Sequence, residues 1–155
     1  MDEARRSVLK GIWAVGALAG AVAAGLLSPR RALAAWNKGA FEAKSTIDAM
    51  KALGMGNAED SKDIQIRAPD IAENGAVVPI DITSSIPGTT SIAVFIEKNP
   101  FPYAGSFDVS QGAAPYVHLR VKIGESSPVR VVVAAGGKHY TAAKEVKVTI
   151  GGCGG

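Results

Sequence analysis

Between residues 63 and 150 the chain is a succession of short runs rich in Val and Ile, each closed by turn residues. The runs are DIQIRA, AVVPIDI, SIAVFIE, SFDVS, PYVHLRVKI, PVRVVVAA and HYTAAKEVKVTI. Asn74-Gly75, Pro87-Gly88, Asn99-Pro100, Gly124 and Gly136-Gly137 punctuate them. β-branched runs bounded by Gly, Pro and Asn read as strands. Val117, Leu119, Val121 and Ile123 alternate with His118, Arg120 and Lys122, which gives that strand one buried and one wet face. About seven such strands at spacings of roughly ten residues predict an all-β fold, an immunoglobulin-like antiparallel β-sandwich. Pro79 interrupts AVVPIDI. Proline lacks the ladder donor, so this run is expected to be an edge strand or to carry a bulge, and an exposed edge invites a partner chain.

Upstream, AWNKGAFEAKSTIDAMKAL reads as an N-terminal helix over residues 35–53. Trp36, Ala40, Ala43, Ile47, Met50 and Leu53 recur every three or four residues and form one apolar stripe, and Gly54 and Gly56 end it. Helix and sandwich together make one domain over residues 35–150.

Residues 1–34 stand apart. The chain carries a net charge of +3, and five basic against two acidic groups lie in this stretch, which accounts for all of the excess. The remainder is neutral with interspersed charges, so no basic stripe exists to grip phosphates and nucleic acid is excluded as a partner. Arg5-Arg6-Ser7-Val8-Leu9-Lys10 precedes the uncharged run GIWAVGALAGAVAAGLL and then Ala32-Leu33-Ala34. This is the order of charged region, apolar region and small-residue cleavage site, and the Arg5-Arg6 pair resembles a twin-arginine export signal. The expectation is cleavage after Ala34, a periplasmic mature chain starting at Ala35 and no stable membrane anchor after cleavage. The rival, an uncleaved anchor, is disfavoured by the shortness of the run and its glycines. The twin-arginine route carries folded proteins. With one Cys, two His and no clustered carboxylates beyond the leader, the chain offers no metal or cofactor site, so folding with a partner chain is the remaining reason for that route.

No G-x-S-x-G, H-E-x-x-H or P-loop appears. His118 and His139 have no Ser, Cys or carboxylate motif around them in sequence. KNPFPYAGSF, with Phe101, Tyr103 and Phe107, reads as a hydrophobic plug over one end of the sandwich or as a contact surface. No catalytic residue is assigned, and the chain is not expected to be an enzyme.

The chemistry is concentrated at the terminus, VKVTIGGCGG. Cys153 is the sole cysteine, so no internal disulfide can form, and an odd thiol in an exported protein pairs between chains or reacts. Gly151, Gly152, Gly154 and Gly155 offer nothing to pack against it, and glycine is costly to order. Residues 151–155 are therefore expected to be a mobile arm. Three residues beyond Ile150 reach roughly 10 Å when extended. A thread without side chains can enter a narrow cleft closed to a folded domain. Lys147, six positions back, is the nearest basic group, and the terminal carboxylate is two positions away, so little around the thiol favours its thiolate. Its chemistry is therefore expected to be completed inside partner active sites.

VKVTIGGCGG, with APDIAENGAVVPIDI and the twin-arginine leader, resembles the SoxY family, the sulfur carriers of the periplasmic thiosulfate-oxidising Sox system. The resemblance spans residues 60–155 and the leader. It implies a SoxZ-like partner without an export signal of its own. It implies that Cys153 is oxidatively joined to thiosulfate by a SoxAX-like haem protein. A SoxB-like metal-dependent hydrolase then removes sulfate, and a SoxCD-like sulfane dehydrogenase, where present, oxidises the remaining sulfur. The carrier itself holds no cofactor. Two other readings of the tail stay open on the residues alone. A C-terminal Gly-Gly can be activated as a thiocarboxylate sulfur donor, and a lone cysteine can dimerise a structural protein.

Overall fold

The computed structural model describes residues 37–109 and 112–149. Arg5, Arg6, the cleavage site, Trp36, Gly151, Gly152, Cys153, Gly154 and Gly155 lie outside the described residues. Two helices, α1 (Lys38–Glu42) and α2 (Thr46–Ala52), precede the strands β1 (Ala58–Asp60), β2 (Ile64–Arg67), β3 (Ile71–Ala72), β4 (Val78–Ser84), β5 (Thr89–Ile96), β6 (Tyr103–Asp108), β7 (Tyr116–Val121), β8 (Ser127–Ala135) and β9 (Lys138–Val148). All seven Val/Ile runs form strands. β1 and β3 are the additions, three and two residues long, too short to show a period in the sequence.

One sheet runs β1-β9-β8-β5-β6, with β3 also on β9, and the other runs β2-β4-β7. Pairing is antiparallel except where β1 and β3 lie parallel to successive stretches of β9, at Ala58↔His139 and Ile71↔Lys147. Val78, Ile80 and Ile82 of the small sheet share one core with Ile92, Val94, Ile96, Val129, Val131, Val133 and Val146 of the large one. The sheets therefore face each other as a sandwich.

The other face of the large sheet is not wet. Ala93, Phe95, Tyr103 and Val132 bury themselves with Ala40, Ala49 and Met55 of the helical segment. Phe41 stacks on Tyr103 at 4.6 Å, and Tyr103 meets Phe95 at 5.4 Å. β5 is thus covered on both faces. Ile92, Ala93, Val94, Phe95 and Ile96 are all buried, which is why SIAVFIE reads as a continuous apolar run and not as an alternating one.

The expected single helix is two. Ser45 takes an extended conformation, its Oγ accepts from the Asp48 backbone N–H at 3.1 Å, and it donates to the Asp48 carboxylate at 2.7 Å. This reciprocal cap starts a new helix and ends the old one at Ala43. Asn37 caps α1 through its side-chain oxygen on the Ala40 N–H. The break turns Ile47, one member of the expected stripe, out to solvent at 65% exposure.

Pro79 sits in β4, the middle strand of its sheet, not in an edge strand. The ladder explains why it is tolerated. Ser85 N–H donates to Asp63 O, and Ser84 N–H donates to Pro115 O. Odd residues of β4 therefore turn their backbone to β2 and even ones to β7. The β2 ladder stops at Arg67↔Asp81, and in the same register Pro69 would face Pro79 next. Neither can donate, so the ladder ends there, and the missing N–H of Pro79 costs no bond to β7.

Phe95→Ala is expected to lower unfolding stability by about 3–5 kcal/mol in a urea titration, because it opens a cavity between sheet and helices. Ile47→Ala is expected to shift it by no more than about 0.5 kcal/mol.

Candidate functional site

The described chain ends one residue after β9, and that end is held on both sides. Lys147 N–H donates to Asp70 O at 3.0 Å, and Thr149 N–H donates to Ala72 O at 3.1 Å. On the other side Val148 N–H donates to Ser126 Oγ at 2.9 Å. The Thr149 hydroxyl donates to Glu73 O at 3.1 Å. Val146 is fully buried between the sheets, and the Lys144 ammonium lies 3.0 Å from the Asp70 carboxylate. Chain termini commonly fray unless tied down. Here the strand is fixed to within four residues of Cys153.

Close in the chain to Ser126, the β7–β8 turn closes on the segment before β6. Asn99 donates to Lys122 O at 2.8 Å and accepts from Gly124 N–H at 3.0 Å. Asn99, Pro100, Phe101, Lys122 and Gly124 line a mainly apolar hollow of about 300 Å³. Lys44 places its ammonium 3.5 Å from the centre of the half-exposed Phe101 ring. The segment KNPFPYAGSF thus divides its aromatics. Tyr103 is buried under the helices, while Phe101 and Phe107 remain exposed.

The structure also joins residues that the sequence keeps apart. Asp81 of β4 faces Arg67 of β2 on one side and His118 of β7 on the other. His118 Nδ1 lies 2.9 Å from Asp81 Oδ1, and the Tyr116 hydroxyl donates to the same oxygen at 2.5 Å. The Tyr116 bond, then the His118 bond, holds the Asp81 carboxyl below its ordinary range. The Asp81 carboxylate in turn pushes the Tyr116 phenol above its ordinary range. A carboxylate only accepts, so Nδ1 carries the proton in this contact. Asp81 and His118 are 37 residues apart, so only the strand register reveals the pair. His139 sits half-buried in β9 between β1 and β8. Among the described residues no group of three or more His, Cys, Asp and Glu stands together, and no helix is long and apolar enough to cross a membrane.

Residues 49–153 match the family model of the sulfur oxidation protein SoxY. The chain belongs to the SoxY family. The matched stretch ends at Cys153. Among solved structures, the sulfur carrier protein SoxY from Chlorobium limicola f thiosulfatophilum is 45% identical with a TM-score of 0.63, covering 73% of this chain and 99% of that one. A superoxide reductase (neelaredoxin) from Ignicoccus hospitalis is 18% identical with a TM-score of 0.49, covering 55% of this chain and 79% of that one, too distant to bear on function. No curated protein matches the chain.

In this SoxY-family fold the Asp81 network gives a pH signature. Because Asp81 has a folded pKa below its unfolded one, its stabilising effect is present above the unfolded value and lost as pH falls through the folded value. Tyr116, with a raised folded pKa, stabilises below its unfolded value and loses that effect as pH rises through the folded one. Thermal unfolding of Asp81→Asn is expected to show a lower midpoint than wild type at neutral pH. The gap should close in strong acid.

Proposed function

We propose that this SoxY-family chain is a sulfur carrier, exported to the periplasm, that holds thiosulfate-derived groups on Cys153 and presents them to separate enzymes. One observation carries the reading: the family match runs through Cys153, four residues beyond a strand end hydrogen-bonded on both sides. Four extended residues span about 13 Å, enough to carry the sulfur clear of the sandwich surface into a partner's cleft.

The chemistry balances with the partners supplying what the chain lacks. The Cys153 thiol and thiosulfate join through a new S–S bond with release of one proton and two electrons, which a SoxAX-like haem protein accepts. A SoxB-like hydrolase adds water to the terminal sulfonate, releasing sulfate and a proton and leaving a persulfide. A SoxCD-like dehydrogenase takes six electrons from the outer persulfide sulfur while three waters supply the oxygens of a new sulfonate and seven protons leave, and a second hydrolysis then releases that sulfonate as sulfate and returns the thiol. This chain contributes one nucleophilic atom and its placement. A SoxZ-like subunit is the proposed stable partner, and the Arg5-Arg6 leader is the proposed route for both chains out of the cytoplasm.

In a reconstituted thiosulfate-oxidising mixture, Cys153→Ser is expected to abolish turnover. Persistent thiosulfate-dependent cytochrome reduction by that variant would refute the carrier role. In cells, Arg5→Lys with Arg6→Lys is expected to leave the unprocessed chain in the cytoplasmic fraction. Normal periplasmic recovery would refute the twin-arginine route.

A further inference from the structure

Beyond residue 34 the chain is neutral, yet its charges are not evenly placed. On the outer face of the small sheet, Arg67, Asp81 and His118 share one row of the register, and the next row sets Arg120 beside Pro79. Past the end of β7, Lys122 keeps the alternation, exposed between the buried Val121 and Ile123. Three full cations, Arg67, Arg120 and Lys122, thus stand on a face whose outward positions hold one carboxylate, Asp81. That carboxylate is already engaged by the Tyr116 hydroxyl and His118 Nδ1. Elsewhere Lys38 is matched with Glu42, Arg130 with Glu97 and Lys144 with Asp70. Among the described residues Arg67, Arg120 and Lys122 have no ion pair and no side-chain hydrogen bond. Tyr116 adds a half-exposed ring. Unpaired cations beside an exposed aromatic complement an acidic protein surface.

This face runs up to the root of the arm. The Ile123 N–H, next to Lys122, donates to Gly75 O at 2.7 Å, and Ser126 in the same turn accepts from the Val148 N–H. Thr149 is bonded to Ala72 and Glu73, just before Gly75. Cys153 lies four residues further on, about 13 Å at full extension. An enzyme that acts on Cys153 therefore brings its cleft within about 13 Å of Thr149, beside the turn that begins at Lys122. From Lys122, Arg120 and His118 follow at steps of about 7 Å, and Arg67 stands about 10 Å from β7 across the sheet. A standard interface covers about 800 Å² on each partner, wide enough to spread from the root over these positions.

We propose that this basic face is where the enzymes that act on Cys153 dock, through acidic residues bordering their clefts. The inference rests on the carrier reading and adds to it the surface and its charge. Attraction between the face and an acidic rim raises the encounter rate and brings the arm's root to the cleft before any covalent step. Each visit must also end, and contacts between exposed charges are weak enough to release. One face serving several enzymes requires the same sign of charge on each rim.

Turnover of the reconstituted thiosulfate-oxidising mixture, measured against the concentration of this chain at several salt concentrations, tests it. For wild type, the KM for the chain is expected to rise severalfold between about 20 and 200 mM salt. Arg67→Glu with Arg120→Glu is expected to raise KM about tenfold at low salt, leave kcat unchanged and flatten the salt dependence. Arg67→Gln with Arg120→Gln is expected to give a smaller rise in the same direction. Lys51→Glu with Lys138→Glu, an equal charge change away from the face, is expected to leave KM unaltered. Unchanged KM in both Arg67 and Arg120 variants, or an equal rise in the Lys51 and Lys138 variant, overturns the docking face. So does loss of a co-purifying second chain from the Arg67 and Arg120 variants, which gives the face to a stable subunit. Cys153→Ser separates this inference from the reading beneath it. No turnover by Cys153→Ser, with KM unchanged in the Arg67 and Arg120 variants, removes the face and leaves the carrier role. Turnover by Cys153→Ser removes both.

Discussion

The last strand bears most on how this molecule works. β9 is paired with β8 from Lys138 to Val146, and on its other side with β1 and then β3. Val146 drives its middle into the sandwich core, and Ser126, Ala72 and Glu73 grip its end. The final secondary-structure element of a chain is ordinarily where order is lost first. Here it is among the most heavily bonded strands of the larger sheet. Opening β9 would strip pairing from three strands at once, so its end cannot drift without loosening the fold. Thr149 is therefore held at a fixed point of the fold.

β5 plays the matching role in depth. Its even residues fill the space between the sheets, while Ala93 and Phe95 fill the space under the helices. A strand apolar on both faces binds three layers into one body. The helical segment thus completes the large sheet on the side away from the small one, with Phe41 and Tyr103 as its aromatic contact. The small sheet keeps a wet outer face, and there the polar residues Arg67, Asp81, Tyr116 and His118 meet across three strands.

Much of this was legible in the residues, and what escaped has physical reasons. Strands of four or more residues announce themselves because burial on one face forces alternation, and DIQIRA, AVVPIDI and PYVHLRVKI all show it. β1 and β3 did not, because two or three residues have no period and their strand state comes from β9 alone. The split at Ser45 was readable as a Ser-x-x-Asp cap within the apolar stripe, a local signal that outweighed the stripe's continuity through Ile47. Pro79 read as the mark of an edge strand or a bulge, but it lies in the central strand, where its missing donor faces only the side on which the β2 ladder has already ended. The Asp81–His118 pair was invisible because register is not written in either strand separately. The lone cysteine among glycines needed no fold to be noticed, and the family match ends on it.

A carrier reading assigns the chain a single reactive atom, and its adduct can be weighed. The most direct measurement is intact and peptide mass spectrometry of the chain after exposure to thiosulfate and an oxidising haem partner. The account predicts a thiosulfate-derived mass on the peptide containing Cys153, removed by reductant and absent from Cys153→Ser. An unmodified Cys153, or sulfur found instead on the carboxylate of Gly155, would contradict it.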